Sequence, residues 1–172
     1  MSLLKRLFAS GAKDQARLRP LWHRVVELAR EPGWYARGGV ADTVEGRFDA
    51  ITLVLALVML RMEGREALRG PSARLTELFV DDMDGQLRQT GIGDPAMGKK
   101  IGKLMSVLGG RIEALRLALA QHDDAALIAV IERNVTLNEG ADTRAIAADL
   151  RGLAAALAVL DDDGLLDGRI AR

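Results

Sequence analysis

Residues 30–62 read REPGWYARGGVADTVEGRFDAITLVLALVMLRM, and this stretch decides the fold. A loop dense in glycine and charge, holding the chain's only tyrosine, runs straight into its most apolar segment. From Ala50 to Leu60, eleven successive residues carry no charge, and only Thr52 is polar. A helix that is apolar on every side is one surrounded by others. The run is too short to span a bilayer, which takes about 20 apolar residues, so the protein itself or a partner must cover it. Loops drift because few packing contacts restrain them, so a loop this rich in committed residue types points to function more than a core position does.

Helical periodicity continues on both sides. Leu18, Leu21, Trp22, Val25, Leu28 and Ala29 form an amphipathic stripe that Pro32-Gly33 stops. After the apolar helix, Gly64 and then Gly70-Pro71 are read as the next connection, with Ser72 as an N-cap. Leu75, Leu78, Phe79, Met83 and Leu87 mark a third helix, broken by Gly91, Gly93 and Pro95. A fourth carries Ile101, Leu104, Leu108, Ile112, Leu115 and Leu119. Asp123 or Asp124 caps a fifth, and Thr143 a sixth whose seam runs Ile146, Leu150, Leu153, Leu157, Leu160. No stretch alternates with period two for long enough to make a strand. The expectation is an all-α fold, a single irregular bundle of about six helices. Residues 1–13 are read as an N-terminal arm, 14–165 as the helical domain and 166–172 as a C-terminal tail.

Composition narrows the function. The chain has 172 residues, 49% of them hydrophobic and 28% charged, enough to build a core and too apolar for disorder. Its 24 basic and 24 acidic residues cancel, so no net field draws it to nucleic acid. The absence of cysteine excludes disulfides, thiolate metal sites and cysteine nucleophiles, and fits a reducing compartment. MSLLKRLF at the start lacks the apolar core and cleavage site of a secretory signal. It is read as a frayed terminus, with a weak interfacial anchor as the sharper alternative.

Catalytic chemistry has little to work with. His23 and His122 fall on different predicted helices with no metal-ligand spacing, so His23 is read as a partly buried ring beside Trp22 and His122 as a helix-end cation. Gly91-Ile92-Gly93 and Gly109-Gly110 lack the preceding strand and following lysine of a phosphate loop; the second pair is read as allowing close helix contact or a kink. Asp81-Asp82-Met83-Asp84 is the best enzyme-like signal, since carboxylates on one helix face can bridge Mg²⁺ and a diphosphate. At 100° per residue Asp82 falls about 20° from Leu75, on the apolar face, while Asp84 points away. A carboxylate there needs a cation, and Arg47, beside the core-seeking Phe48, is the expected partner. Asp42-Thr43 is read as capping the apolar helix.

Two sets of motifs then act together. The first is Arg30-Glu31-Pro32, Trp34-Tyr35, Gly39-Val40-Ala41-Asp42-Thr43 and Gly46-Arg47-Phe48-Asp49. The second is Asp82-Met83-Asp84, Leu87-Arg88, Gly91-Ile92-Gly93-Asp94, Lys99-Lys100 and Gly110-Arg111. In that order and separation they resemble the ubiquinol-cytochrome c chaperone family, bacterial relatives of the mitochondrial assembly factors for the cytochrome bc1 complex. The resemblance runs from about Leu18 to Val135, and more weakly to Leu160. It implies an all-α assembly chaperone that is not an enzyme, needs no cofactor and binds newly made cytochrome b. Mitochondrial members act with a small partner chaperone and associate with the ribosome. The chain departs from the family pattern at Val54, where a histidine is common, and at Val135-Thr136-Leu137, which lacks an aromatic residue.

On this reading an apolar groove lies beside the second and third helices, with Met59, Met62, Met83, Met97 and Met105 offering adaptable contacts. Its rim is the charged loops 37–47 and 88–100, including Asp42, Arg47, Arg88, Asp94, Lys99 and Lys100. Trp34, Tyr35, Thr43, Phe48, Asp82, Asp84 and Arg111 complete the candidate partner-binding set. The expected location is the cytoplasm or the inner face of the cytoplasmic membrane, with peripheral lipid contact at most and no specific nucleic acid. A general helical interaction scaffold, or a Mg²⁺-dependent diphosphate-binding enzyme using the aspartate cluster, are the alternatives.

Overall fold

The computed structural model describes residues 3–89 and 94–171 and, of the side chains, those of 16–86, 99 and 101–171. Within them the chain is all α. Helices α1 (Leu3–Ala29), α2 (Val44–Met62), α3 (Glu66–Gln89), α4 (Asp94–Leu119), α5 (Ala125–Asn134), α6 (Thr143–Val159) and α7 (Asp162–Leu166) follow in order, with a π-helical turn over Gly33–Arg37. α1 is continuous from Leu3, so the expected arm and the first helix share one element.

α2 is the axis. Every residue from Asp49 to Val58 is buried, and α1, α3, α4 and α6 surround the helix. That explains why it has no polar face: each side meets another helix. Leu53, Leu55 and Leu57 alone are worth about 1.5–3 kcal/mol apiece in removed apolar surface. Among the described residues no helix is long and apolar enough to cross a membrane.

Helix boundaries mostly follow local chemistry, with two corrections. Gly70-Pro71 does not break the chain; it lies inside α3. Proline there forfeits a single backbone bond near the helix start, and Leu68 and Leu75, both fully buried, hold the helix on either side of it. The cap of α6 is Asp142, whose carboxylate accepts from the Ala145 amide at 3.0 Å, and Thr143 is already helical.

The aspartate run at 161–163 serves the fold. Asp161 caps α7, Asp162 receives Arg61 and Arg65, and Asp163 meets Arg17. The Arg61 side chain is almost fully buried. It donates to the Leu157 and Leu160 carbonyls and to Asp162, tying the end of α2 to the end of α6. Residues of the expected tail pack on α1. Leu166 and Ile170 are buried, and Arg24 donates twice to the Ile170 carbonyl, at 3.1 and 2.9 Å. His23 and His122 are both exposed, so His23 is not the partly buried ring its neighbour Trp22 suggested.

Candidate functional site

The loop at 30–43 is held from both sides. Trp34 is fully buried and donates Nε1–H to the Leu28 carbonyl at 2.8 Å; the Tyr35 hydroxyl donates to the Ala29 carbonyl at 2.8 Å. Both bond to carbonyls in the last turn of α1: Tyr35 supplies Ala29 with a donor, and Trp34 adds a second donor to Leu28, which also accepts from the Glu31 amide at 3.3 Å. Beyond the π turn, residues 39–41 pair with 136–138: the Ala41 amide donates to the Thr136 carbonyl at 2.9 Å and the Asn138 amide to Gly39 at 2.8 Å. Arg37 closes the outside on Asp149 at 2.6 Å.

α2 then starts under tight constraint. Thr43 caps it, its hydroxyl accepting from the Gly46 amide at 3.2 Å. A Cβ on Gly46 would stand 2.0 Å from the Ala41 carbonyl oxygen, so only glycine fits where loop and helix cross. This folding brings Arg47 back onto Asp42, Nε to Oδ1 at 2.6 Å, on the surface. The hydrogen bond from Arg47 holds the Asp42 carboxyl below its ordinary range, and the same bond raises Arg47. Burial, and secondarily the Asp42 charge, push the Tyr35 phenol up.

The expected pairing of Arg47 with Asp82 is therefore wrong. Asp82 is only half-buried and makes no ion pair among the described residues. A long arginine at the first turn of α2 reaches its own N-terminal loop more cheaply than it crosses to α3. The buried ion pair is instead Asp49 with Arg111, Oδ1 to Nη2 at 2.5 Å, each side chain at most 10% exposed. Arg111 also donates to the Thr52 hydroxyl and to the Asn134 carbonyl, while Asp49 Oδ2 accepts from the Thr136 amide and hydroxyl at 2.8 and 2.7 Å. The guanidinium lies 5.7 Å from the Phe48 ring centroid. One polar knot thus joins α2, α4 and the segment after α5.

Over this knot opens a cavity of about 670 Å³. Val44, Phe48 and Ile51 of α2, Met83 of α3 and Leu104 of α4 give it an apolar wall; Tyr35, Arg30, Glu45, Arg47 and Gln86 edge it. Val44 is 77% exposed, unusual for valine. A second, more polar hollow of about 530 Å³ lies on the other side of the knot, and Asp49 and Thr136 line both.

Of the expected site residues, Tyr35, Arg47 and Phe48 meet at the first cavity. Trp34 and Thr43 serve as cap donor and cap acceptor, Asp42 holds Arg47, and Arg111 is in the knot. Asp84 is half-buried on α3 and Lys99 exposed on α4. The side chains of Arg88, Asp94, Lys100 and Met97 lie outside the described residues. The expected rim loop at 88–100 is a loop only in part, since Arg88 belongs to α3 and Asp94 opens α4. Of the methionines, Met83 lines the cavity, while Met59 and Met62 pack in or against the core. Among the described residues the groove wall is thus mainly aliphatic and aromatic, with Met83 its one methionine. Among the described residues no three histidines or carboxylates are placed to hold a metal ion.

Sequence reasoning places Asp49 in a motif but gives it no partner and no place in the candidate set. Its signal was its place, an acid directly before the uninterrupted apolar run.

The sequence profile of the ubiquinol-cytochrome c chaperone matches residues 36–171. This chain belongs to the ubiquinol-cytochrome c chaperone family. The match begins inside the π turn and takes in α2 and every later helix, so the cavity lining falls within it except for Arg30 and Tyr35. The crystal structure of the Cbp3 homologue from Brucella abortus superposes with a TM-score of 0.81 at 29% identity, covering 98% of this chain and 96% of that one. Comparison with curated protein sequences returned no match.

Proposed function

We propose that the protein is an assembly chaperone for the cytochrome bc1 complex whose client is newly made cytochrome b. The observation that carries this reading is the apolar cavity at the start of α2, open beside an exposed Val44, in a member of this chaperone family. Cytochrome b is a membrane subunit, and its apolar segments need cover before insertion. Val44, Phe48, Ile51, Met83 and Leu104 offer a surface of that kind, small enough to release what it holds. Arg30, Glu45 and Arg47 at the edge orient a segment more than they tighten it.

In this reading the chain makes and breaks no bonds and needs no cofactor. It works in the cytoplasm or at the inner face of the cytoplasmic membrane, where its client is inserted. A small partner chaperone and the ribosome stay further expectations of the family resemblance.

The test is co-purification of cytochrome b with the tagged protein, compared with Val44→Glu. Glutamate at the first position of α2 suits the helix dipole, so the fold should keep its melting temperature. We expect cytochrome b with the wild type and about a tenfold loss with the variant. Full retention by Val44→Glu overturns the site. Normal bc1 content in a deletion strain, with no cytochrome b captured, overturns the function.

A further inference from the structure

We propose that the outer face of α4 is a docking surface for an acidic helix of a partner protein, separate from the cavity at α2. The inference begins with glycines that the fold does not use. Gly102, Gly109 and Gly110 are exposed, and a Cβ on any of them would meet nothing within 4 Å. The expected close contact at Gly109-Gly110 is therefore absent among the described residues, and α4 runs through the pair as a continuous helix. Glycine in a helix interior is less stable than alanine, so three at open positions are a standing cost with no internal return.

They share one face. At 100° per residue Ser106, Gly109, Gly110 and the exposed Leu117 all fall within about 80° of Gly102. Small residues at such spacing let a second helix approach backbone to backbone. Leu117, 60% exposed, and Met105, 36% exposed, supply apolar contact on that face.

A second observation names the chemistry. One flank of the face, at Ser106 and Gly110, slopes into the 530 Å³ hollow whose opposite wall is the end of α5. Arg111, 5% exposed, lines this hollow, and its buried Nε has no hydrogen-bond partner among the described residues. Arg133 lines it too. Among the described residues the hollow's one carboxylate, Asp49, is already taken by Arg111 and Thr136. Exposed Lys99 and Lys103 lie farther along α4, and among the described residues neither they nor Arg133 makes an ion pair. Glu113 on the face is held by Arg116. The surface is therefore positive, and a partner helix carrying carboxylates complements it.

The experiment is photo-crosslinking in cells. The full chain carries a benzophenone amino acid at Ser106, and the crosslinked segment is mapped by mass spectrometry. We expect a carboxylate-bearing helical segment of another protein. The adduct should fall about tenfold when Lys99, Lys103 and Arg133 are changed to Glu. It should also be lost in Gly110→Leu, which blocks approach without altering charge, and should persist in Val44→Glu. That persistence separates this surface from the client cavity. Three results overturn the proposal: no adduct beyond the background given by a control chain with the benzophenone at Arg144, an exposed position on α6; an adduct with lipid or a second copy of this chain; or an adduct that survives charge reversal. An adduct with cytochrome b that Val44→Glu abolishes overturns it as well. In melting experiments Gly102→Ala, Gly109→Ala and Gly110→Ala should each raise Tm by about 2–4 °C. A drop in Tm would place the glycines in the service of the fold and also overturn the proposal.

Discussion

Asp49 and Arg111, 62 residues apart in sequence, meet 2.5 Å apart in the interior and together fix α2 against α4 and the segment after α5. A buried pair of this kind is rarely a net source of stability, because desolvation offsets most of the attraction. Breaking it is another matter.

Asp49→Ala leaves Arg111 charged and buried and strips Thr136 of its acceptor. We expect a loss of about 3–5 kcal/mol in urea unfolding. Asp49→Leu with Arg111→Met removes both charges at similar volume and should recover most of that loss. A double variant as unstable as Asp49→Ala would show that the charges themselves stabilise the fold.

Gly46→Ala should cost about 3 kcal/mol, since its methyl group must displace the Ala41 carbonyl. Gly85→Ala is the control: the position is helical and open, so alanine should add about 1 kcal/mol. Thermal melts of the two should move in opposite directions.

Tyr35 is the only tyrosine, so ultraviolet titration reads it alone. Its phenol should ionise above pH 10, the ordinary value, because burial opposes the phenolate. A raised folded-state value gives stability that is complete below about pH 10 and fades as pH rises through the folded midpoint. Tyr35→Phe should abolish that alkaline limb. At neutral pH it should cost about 1 kcal/mol for the lost bond to Ala29.

Asp42 runs the other way. Its carboxyl is held low, so its contribution is present at neutral pH and lost as pH falls below the ordinary value of 3.8. The pair with Arg47 is exposed and screened, and Asp42→Asn should leave the melt at pH 7 nearly unchanged. A large shift at neutral pH would contradict this account of the clasp.

Arg61→Met removes donors from the Leu157 and Leu160 carbonyls and from Asp162 at once. We expect a loss of about 2–4 kcal/mol. Amide exchange should quicken first around α7, whose cap region loses its anchor.

The bundle was legible because apolar periodicity reports the burial of each helix separately. The surrounded state of α2 followed directly from eleven residues without charge. What failed were judgements that depend on geometry between elements. Arg47 and Asp82 were matched because each seemed to need a partner, yet nothing in a helical wheel sets the distance between two helices. Asp49 and Arg111 were both in view as motif residues, but periodicity carries no signal linking positions 62 apart. Gly70-Pro71 misled for the opposite reason: the local preference to break was real, and Leu68 and Leu75 overrode it. Trp34 and Tyr35 looked like recognition residues because they sit in a loop. Their donors are spent on the carbonyls of α1, and only Tyr35 also borders the cavity.

The seating of Ile170 on Arg24 sets a schedule for the polypeptide during its own synthesis. The part of α1 around Pro20 and Arg24 is covered by Leu165, Leu166 and Ile170, and the bond that pins them spans 146 residues. While the chain is being made, that strip of the first helix stays bare until the distant segment has cleared the ribosome. A protein read here as shielding the unfinished subunit of a membrane complex thus has an interval in which its own first helix lacks cover.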